Sequence, residues 1–310
     1  MTDLLGVVAP VFVVVGAGYL AVWRGLCSDS DVDGIMNFTQ KFAIPCLLFM
    51  AIATLDLGAE YDADLLVSFY TGSTICFFAG FLGARLIFGR PWADSVAIGF
   101  SCLFANTVLM GLPITERAYG VAALGSNYAI VAPHAAFCYM LGITAMEIVR
   151  GDNTTPTRLI QKVGTAMFRN TLMIGVGLGF VVNLSTLPIP GVLEDALEMT
   201  TRAALPVALF GLGGVLYRYK PKGDVAMIAF ICAVSLVLHP AIAFGMGTLI
   251  TNLTTGQLRA AVITAAMAPG VNSYLFADMY GVARRVAASV VLIGTGLTVL
   301  TASIWLAILP

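Results

Sequence analysis

TQKFAIPCLLF, at residues 39–49, decides the fold, because a second version of it, TTRAALPVALF, occupies residues 200–210. The offset is 200 − 39 = 161 residues. The same offset relates VGAGY at 15–19 to VGLGF at 176–180, and YGVA at 119–122 to YGVA at 280–283. One register across three distant blocks predicts two copies of one unit, at residues 1–149 and 170–310, joined by a polar linker at 150–169.

The composition places these units in a lipid bilayer. The 310 residues are 59% hydrophobic and only 11% charged, with a mean hydropathy of +0.93. Such a chain has too little polar surface to cover a soluble globule of this size. The net charge of −1 and the lack of a basic cluster interleaved with aromatic residues argue against a nucleic-acid partner.

Apolar runs long enough to cross the membrane occur five times in each unit. A crossing of about 30 Å of hydrocarbon takes about 20 helical residues. The sequence therefore predicts an all-α membrane protein with ten transmembrane helices, numbered here as spans 1–10: 4–23, 34–54, 65–88, 93–113, 126–149, 170–186, 194–217, 225–250, 257–278 and 287–308.

The charges between the spans predict the orientation. Loops after the odd-numbered spans carry Arg24, Arg85, Arg90, Arg150, Arg158, Lys162, Arg169, Arg218, Lys220, Lys222, Arg284 and Arg285. The other side has only Arg117 and Arg259, and its loop at residues 56–64 is acidic. The positive-inside rule then predicts a cytoplasmic linker and two periplasmic termini. Because each unit has an odd number of spans, the two units are expected to insert upside down relative to each other, as in alternating-access transporters.

Spans 4 and 9 are interrupted by helix-breaking and polar residues. These are Asn106, Thr107, Gly111 and Pro113 in span 4, and Pro269, Gly270, Asn272 and Ser273 in span 9. Backbone freed in this way survives at membrane depth only inside protein or beside a cavity. If the interruptions meet, the half-helices beyond them direct N-terminal amides into that cavity, which favours an anion. The alternative is that the polar groups only cap and bridge the helices.

Two prolines and two cations occupy equivalent places in spans 2 and 7. Pro45 and Pro206 are related by the repeat, and Lys41 and Arg202 precede them by four residues. The prolines are either simple kinks or bends that frame the cavity. The cations either extend to the nearer membrane surface or attract an anionic substrate from opposite sides.

Other polar and small residues in the spans have two interpretations. His134 and His239 are either satisfied packing residues or, for His134, a proton-coupling group. The motifs Gly16-x-Gly18 and Gly177-x-Gly179 predict close helix packing rather than ligand binding. No carboxylate lies at the centre of a span, which disfavours obligatory cation antiport. Isolated cysteines and the lack of any catalytic motif predict no metal, no cofactor and no enzyme.

Four motifs resemble the auxin efflux carrier family, in particular its bacterial members described as malate or malonate permeases. They are FAIPCLLF at 42–49, the pattern of Asn106, Thr107, Met110, Gly111 and Pro113, ALPVALFGLGG at 204–214, and APGVNS at 268–273. The resemblance covers the whole chain. It implies two inverted five-helix repeats similar to those of bile-acid symporters and sodium/proton antiporters, with spans 4 and 9 crossing. Spans 1, 2, 6 and 7 would form a scaffold, and spans 3–5 and 8–10 a moving transport core.

The resemblance also implies an organic anion as substrate, a dicarboxylate or an auxin-like acid, often carried by a homodimer. Span 6 departs from the expected Asn-Pro opening because it reads Asn170-Thr171. The sequence thus favours a secondary transporter of carboxylate anions in the bacterial inner membrane, working by an elevator movement. Its expected site combines the interruptions of spans 4 and 9 with Lys41, Pro45, Arg202 and Pro206. A ligand-gated anion channel and a membrane sensor that binds without transport remain alternatives.

Overall fold

The computed structural model describes residues 2–151, 156–220, 224–251 and 253–310. Within these ranges the regular structure is helical, apart from one isolated antiparallel bridge between Ala105 and Pro269. Lys222, which contributed to the predicted orientation, lies outside the described residues, as does the part of the linker at 152–155.

Eight α-helices lie among the residues described in the first half of the chain. They are α1 (Thr2–Trp23), α2 (Asp29–Phe38), α3 (Ile44–Ala53), α4 (Leu57–Glu60), α5 (Ala63–Leu86), α6 (Trp92–Leu103), α7 (Leu112–Tyr119) and α8 (Gly125–Arg150). A 3-10 turn, Val121–Leu124, leads into α8.

The described residues of the second half contain eight more. They are α9 (Pro156–Arg169), α10 (Thr171–Ser185), α11 (Gly191–Arg218), α12 (Val225–Ala233), α13 (His239–Leu249), α14 (Thr255–Ala265), α15 (Val271–Tyr280) and α16 (Arg284–Ile308). The predicted linker therefore contains a helix of its own, α9.

Within the described part of the chain, seven helical segments are long and apolar enough to cross a membrane, by length and composition. They are Leu5–Trp23, Asp29–Ala53, Ala63–Leu86, Val121–Arg150, Gly191–Arg218, Val225–Leu249 and Arg284–Ile308, and they correspond to predicted spans 1, 2, 3, 5, 7, 8 and 10. Span 6 is the 15-residue helix α10. Spans 4 and 9 are each divided into two shorter helices, α6 with α7 and α14 with α15, at the places where the sequence predicts interruptions.

Three of the prolines are preceded by a π-helical turn that ends two residues earlier. The turns are Thr39–Ala43, Thr107–Gly111 and Val234–Leu238, before Pro45, Pro113 and Pro240. Proline lacks the N–H that an α-helix uses, and a wider turn lets neighbouring amides reach more distant carbonyls. The N–H of Ile44, for example, donates to the carbonyl of Thr39. Pro206 lies inside α11 without such a turn.

Polar residues at the helix starts fix where several spans begin. Ser28 and Asp31 form a reciprocal capping box at α2, and Thr254 and Gln257 form another at α14. Asp62 accepts a hydrogen bond from the first turn of α5 and a second, at 2.9 Å, from Nε2 of Gln257. The side chains at these ends satisfy amide groups that a helix leaves unpaired.

Close packing through glycine joins α1 to α11 and α3 to α10. A Cβ atom at Gly18 would overlap the carbonyl oxygen of Phe210, and one at Gly179 would lie 2.8 Å from the carbonyl oxygen of Phe49. The two contacts have the repeat offset, since 179 − 18 = 161 and 210 − 49 = 161. The second glycine of each predicted motif therefore packs closely, whereas Gly16 and Gly177 have nothing within 4 Å of a built Cβ.

Candidate functional site

The two interruptions meet and pair through their backbones. The N–H of Asn106 donates to the carbonyl of Ala268 at 2.8 Å, and the N–H of Gly270 donates to the carbonyl of Phe104 at 2.9 Å. These bonds surround the antiparallel bridge between Ala105 and Pro269. Each broken span thus satisfies backbone groups that the other leaves free, which is what apolar surroundings demand of a non-helical segment.

The N-terminus of α15 lies at this crossing without a capping side chain. Its N-cap is Gly270, in extended conformation, so no side-chain oxygen accepts from the first turn. A Cβ built on Gly270 would lie 3.5 Å from the Cα of Asn106. The Asn106 side chain is only 6% exposed, and its Nδ2 has no hydrogen-bond partner among the described residues. The crossing therefore presents an unused amide donor beside a positive helix end.

A cavity of about 430 Å³ opens at this crossing. Its polar lining comes from the crossing (Asn106, Thr107, Asn272), from α8 (His134, Tyr139), from the π-helical turn before α3 (Gln40, Lys41) and from the start of α10 (Asn170, Thr171). Between these groups the wall is apolar, with Ile44, Leu48, Val108, Leu109, Val131, Leu172, Met173, Val176, Val271, Leu275 and Met279. The polar groups therefore form two sets, one at the crossing and on the adjacent α8, and one on α10 and the turn before α3.

The cavity lies on the side of the crossing toward the arginine-rich helix ends. One wall is α15, which runs from the crossing toward Arg284. Another is the π-helical turn at the end of α2, and α2 itself begins shortly after Arg24. Lys41 is exposed there. Thr171 Oγ1 donates to the carbonyl of Gln40 at 2.6 Å and holds the start of α10 against this wall.

On the opposite side of the crossing, α7 is hydrogen-bonded to α1. Arg117 Nε donates to the carbonyl of Val7 at 2.9 Å, and Nη2 donates to the carbonyl of Gly6 at 3.3 Å. Pro10 has no N–H to offer the Gly6 carbonyl, so that oxygen is free to accept from Arg117. This contact holds the two segments together on the side away from the cavity.

Several residues predicted for the site lie behind its wall. Met110, Gly111 and Pro113 are buried in the segment after Thr107, and Ser273 is buried with its hydroxyl unpartnered among the described residues. Pro269 takes part in the bridge. Backbone atoms of Pro45 lie 2.5 to 3.0 Å from a Cβ built on Gly175, so the bend at Pro45 packs closely on α10. These residues form the crossing itself and the helix packing around it.

Arg202 and Pro206 are not among the described residues that line this cavity. Arg202 forms an ion pair with Glu198 at 3.3 Å, and the two side chains are 80% and 51% exposed. An exposed pair of this kind contributes about 0.2 to 1 kcal/mol at most. The repeat thus places Lys41 and Arg202 at equivalent sequence positions, but in this conformation only Lys41 reaches the cavity.

Both histidines pack against the aromatic ring of Phe69. His134 is 2% exposed, lines the cavity, and has ring centroids of Phe69 and Phe104 at 5.6 and 5.0 Å. His239 lies 5.0 Å from the Phe69 ring, and its Nε2 is 3.0 Å from Ser73 Oγ. His134 therefore has access to the cavity, whereas His239 belongs to the packing of α5 against α13.

Sequence reasoning missed Tyr139 as a member of the site. Its hydroxyl donates to Oδ1 of Asn272 at 3.2 Å, and both residues line the cavity. Tyr139 lies on the same helix as His134, five residues further along, and a phenol inside a transmembrane span is a signal of a polar partner. Only the fold shows which partner that is.

Long apolar helices and a polar cavity where two interrupted helices cross define a membrane transporter. Residues 3–306 match the family described as membrane transport proteins. The chain belongs to this family, which includes the auxin efflux carriers.

Three relatives extend over most of the chain. A protein of Rhizobium meliloti (strain 1021) named "Putative malonate transporter" is 24% identical over 97% of this chain and 94% of its own length. Auxin efflux carrier component 5 of Arabidopsis thaliana is 21% identical over 92% of this chain and 90% of its own. An "Uncharacterized transporter" of Methanothermobacter thermautotrophicus is 24% identical over 84% and 85%.

Proposed function

We propose that the chain transports small carboxylate anions across the bacterial inner membrane as a secondary carrier. The observation that carries this proposal is that Asn106 and the uncapped start of α15 both line the cavity, while the buried Nδ2 of Asn106 has no hydrogen-bond partner among the described residues. A carboxylate at this point would accept from the Asn106 amide and from the first-turn N–H groups of α15, and would cap that helix. Neutral donors hold an anion without the desolvation cost of a buried cation.

The two polar sets of the cavity fit an anion with two acidic groups. One carboxylate would bind at the crossing, and Lys41 would attract the other from the opposite wall. The apolar wall between them would contact the carbon chain. The relatives named for malonate and auxin support this substrate class, since both are carboxylic acids.

We infer that transport proceeds by an elevator movement of two inverted five-helix repeats. The matching glycine contacts, Gly18 with Phe210 and Gly179 with Phe49, support a scaffold built from spans 1, 2, 6 and 7. Spans 3–5 and 8–10 would carry the crossing as the moving core. With both termini periplasmic, the cavity of this conformation opens to the cytoplasm, and the contacts of Arg117 with α1 keep the periplasmic side closed.

Counterflow in proteoliposomes tests the function directly. Vesicles loaded with unlabelled malonate should accumulate labelled malonate from outside, because a carrier exchanges substrate across its two states. A channel would dissipate the label without accumulation, and a sensor would bind malonate without any flux. Either of the last two results refutes the carrier.

The substitution Lys41→Gln should weaken the apparent affinity for malonate from the cytoplasmic side by about two- to fivefold, the range of an exposed charge pair. Inside-out and right-side-out vesicles separate the two faces. Lys220→Gln, on the same predicted side but outside the cavity, is the matched control and should leave the affinity unchanged. A Lys41→Gln effect confined to the periplasmic face would contradict the orientation.

We further propose that His134 couples transport to protons, because it is the histidine that lines the cavity. Uptake by the unmodified protein should then rise as the external pH falls, and His134→Gln should remove this dependence. His239→Gln is the control, since His239 bonds to Ser73 away from the cavity. A pH dependence that persists unchanged in His134→Gln would refute the role of His134 in proton coupling.

A further inference from the structure

The side chain of Tyr139 joins two helices at the cavity wall. Tyr139 lies on α8, and Asn272 is the second residue of α15. The Tyr139 hydroxyl donates to Oδ1 of Asn272 at 3.2 Å, so the oxygen end of the amide is engaged with protein. Its Nδ2 end remains for the cavity.

An asparagine amide has two chemically opposite ends that occupy nearly the same space. The oxygen accepts hydrogen bonds and the nitrogen donates two. At an anion site the choice decides the sign of the interaction, because a carboxylate is bound by Nδ2 and repelled by Oδ1. Without a partner at one end, the amide of Asn272 would turn to suit whichever ligand entered.

The ring of Tyr139 is held in place on several sides. Its centroid lies 5.5 Å from that of Phe100, 5.9 Å from that of Phe104 and 6.4 Å from that of Phe276. These rings come from α6, the interruption and α15, so the hydroxyl has a fixed position relative to the crossing. A fixed hydroxyl is what an orienting hydrogen bond requires.

We propose that Tyr139 is a positioning residue that sets the orientation of the Asn272 amide and so makes the cavity select anions over neutral ligands. The proposal rests on the proposed function, since it assigns the donor end of Asn272 to the substrate carboxylate. Because Nδ2 of Asn106, at the same crossing, has no partner in the described part of the chain, the crossing then offers two amide donors. A neutral amide ligand, which presents both donors and acceptors, gains less from such a site than a carboxylate does.

The test is Tyr139→Phe in the full-length purified protein, with malonate and its neutral analogue malonamide as probes in calorimetric titrations. Loss of one orienting hydrogen bond should raise the dissociation constant for malonate by about three- to tenfold. The preference for malonate over malonamide should narrow, because the freed amide can turn its oxygen toward malonamide. In proteoliposomes KM should rise while the maximal rate stays within about twofold, the pattern of a binding rather than a folding defect.

A double-mutant cycle with Asn272→Ala separates positioning from packing. In that background Tyr139→Phe should change malonate affinity by less than about twofold, because the group it orients is gone. Equal losses in both backgrounds, or no loss in either, would overturn the positioning role. Tyr70→Phe is the matched control: it removes a phenol that donates to the Ile130 carbonyl at 2.6 Å outside this cavity, and should leave malonate affinity unchanged.

The cycle also distinguishes this inference from the function on which it rests. If Asn272→Ala alone leaves malonate binding intact, the anion site itself is misplaced and the inference falls with it. If Asn272→Ala weakens binding and Tyr139→Phe does not, the anion site stands and only the orienting role of Tyr139 is refuted.

Discussion

Asn106→Leu should lower malonate transport by about 100-fold while leaving thermal stability unchanged or increased. A hydrogen bond to a charged group contributes about 1.5 to 3 kcal/mol, and leucine would place apolar methyl groups beside the carboxylate instead of a donor. Leucine has nearly the shape of asparagine. Nδ2 of Asn106 is buried and has no protein partner among the described residues. The substitution therefore removes an unsatisfied donor, and it breaks no hydrogen bond that this nitrogen makes with the protein. Initial uptake rates and melting temperatures of the same preparations measure both effects.

Asn127→Leu is the matched control for this prediction. Asn127 is also buried, but its Nδ2 donates to Thr115 at 3.2 Å and to Thr264 at 2.8 Å, and it lies outside the cavity. The same substitution there should lower the melting temperature, since two hydroxyls lose their donor. If Asn106→Leu destabilises the protein as much as Asn127→Leu does, Asn106 is a structural residue, and the anion site loses its main support.

Local chemistry made part of this site predictable from sequence. Pro269 and Gly270 together weaken a helix, and Asn106 and Thr107 are costly in hydrocarbon, so an interruption was expected at both places. The long apolar runs likewise fixed seven spans, because length and hydropathy are properties of the chain itself. In each case one segment contained all of the information.

The positions of the two cations could not be predicted from the repeat. Lys41 lies in a π-helical turn, whereas Arg202 lies in a regular stretch of α11. An extra residue in a helical turn rotates the helix before the turn relative to the helix after it. Equivalent distances from Pro45 and Pro206 therefore do not give equivalent directions, and Arg202 turns to Glu198 on the surface.

The contacts of Tyr139 were hidden for a different reason. Tyr139 and Asn272 are 133 residues apart, and their hydrogen bond depends on how α8 meets α15 at the crossing. The backbone pairing of Asn106 with Ala268 has the same origin. A periodic pattern reports which face of a helix is apolar, but not which residue of another helix that face meets.

The contact between α1 and α11 provides the second large effect, through Gly18 in α1. Gly18→Ala should abolish the monodisperse folded protein or lower its melting temperature sharply, because the new Cβ would overlap the Phe210 carbonyl of α11. Backbone cannot move aside as a flexible side chain can, and overpacking a tight contact costs about 1 to 3 kcal/mol or more.

Gly16→Ala, two residues earlier in α1, tests this explanation with the same chemical change. A Cβ at Gly16 meets nothing within 4 Å, so alanine there should be neutral or stabilising by about 0.5 to 1 kcal/mol through its helix propensity. The pair Gly179→Ala and Gly177→Ala should repeat the contrast in α10, where a Cβ at Gly179 would lie 2.8 Å from the Phe49 carbonyl and one at Gly177 meets open space. Size-exclusion profiles of the four variants measure whether each one is folded and monodisperse, and melting curves measure its thermal stability. Equal behaviour of Gly18→Ala and Gly16→Ala would contradict the close contact between α1 and α11. A contrast in α1 without one in α10 would contradict equivalent packing at the two contacts that are 161 residues apart in sequence.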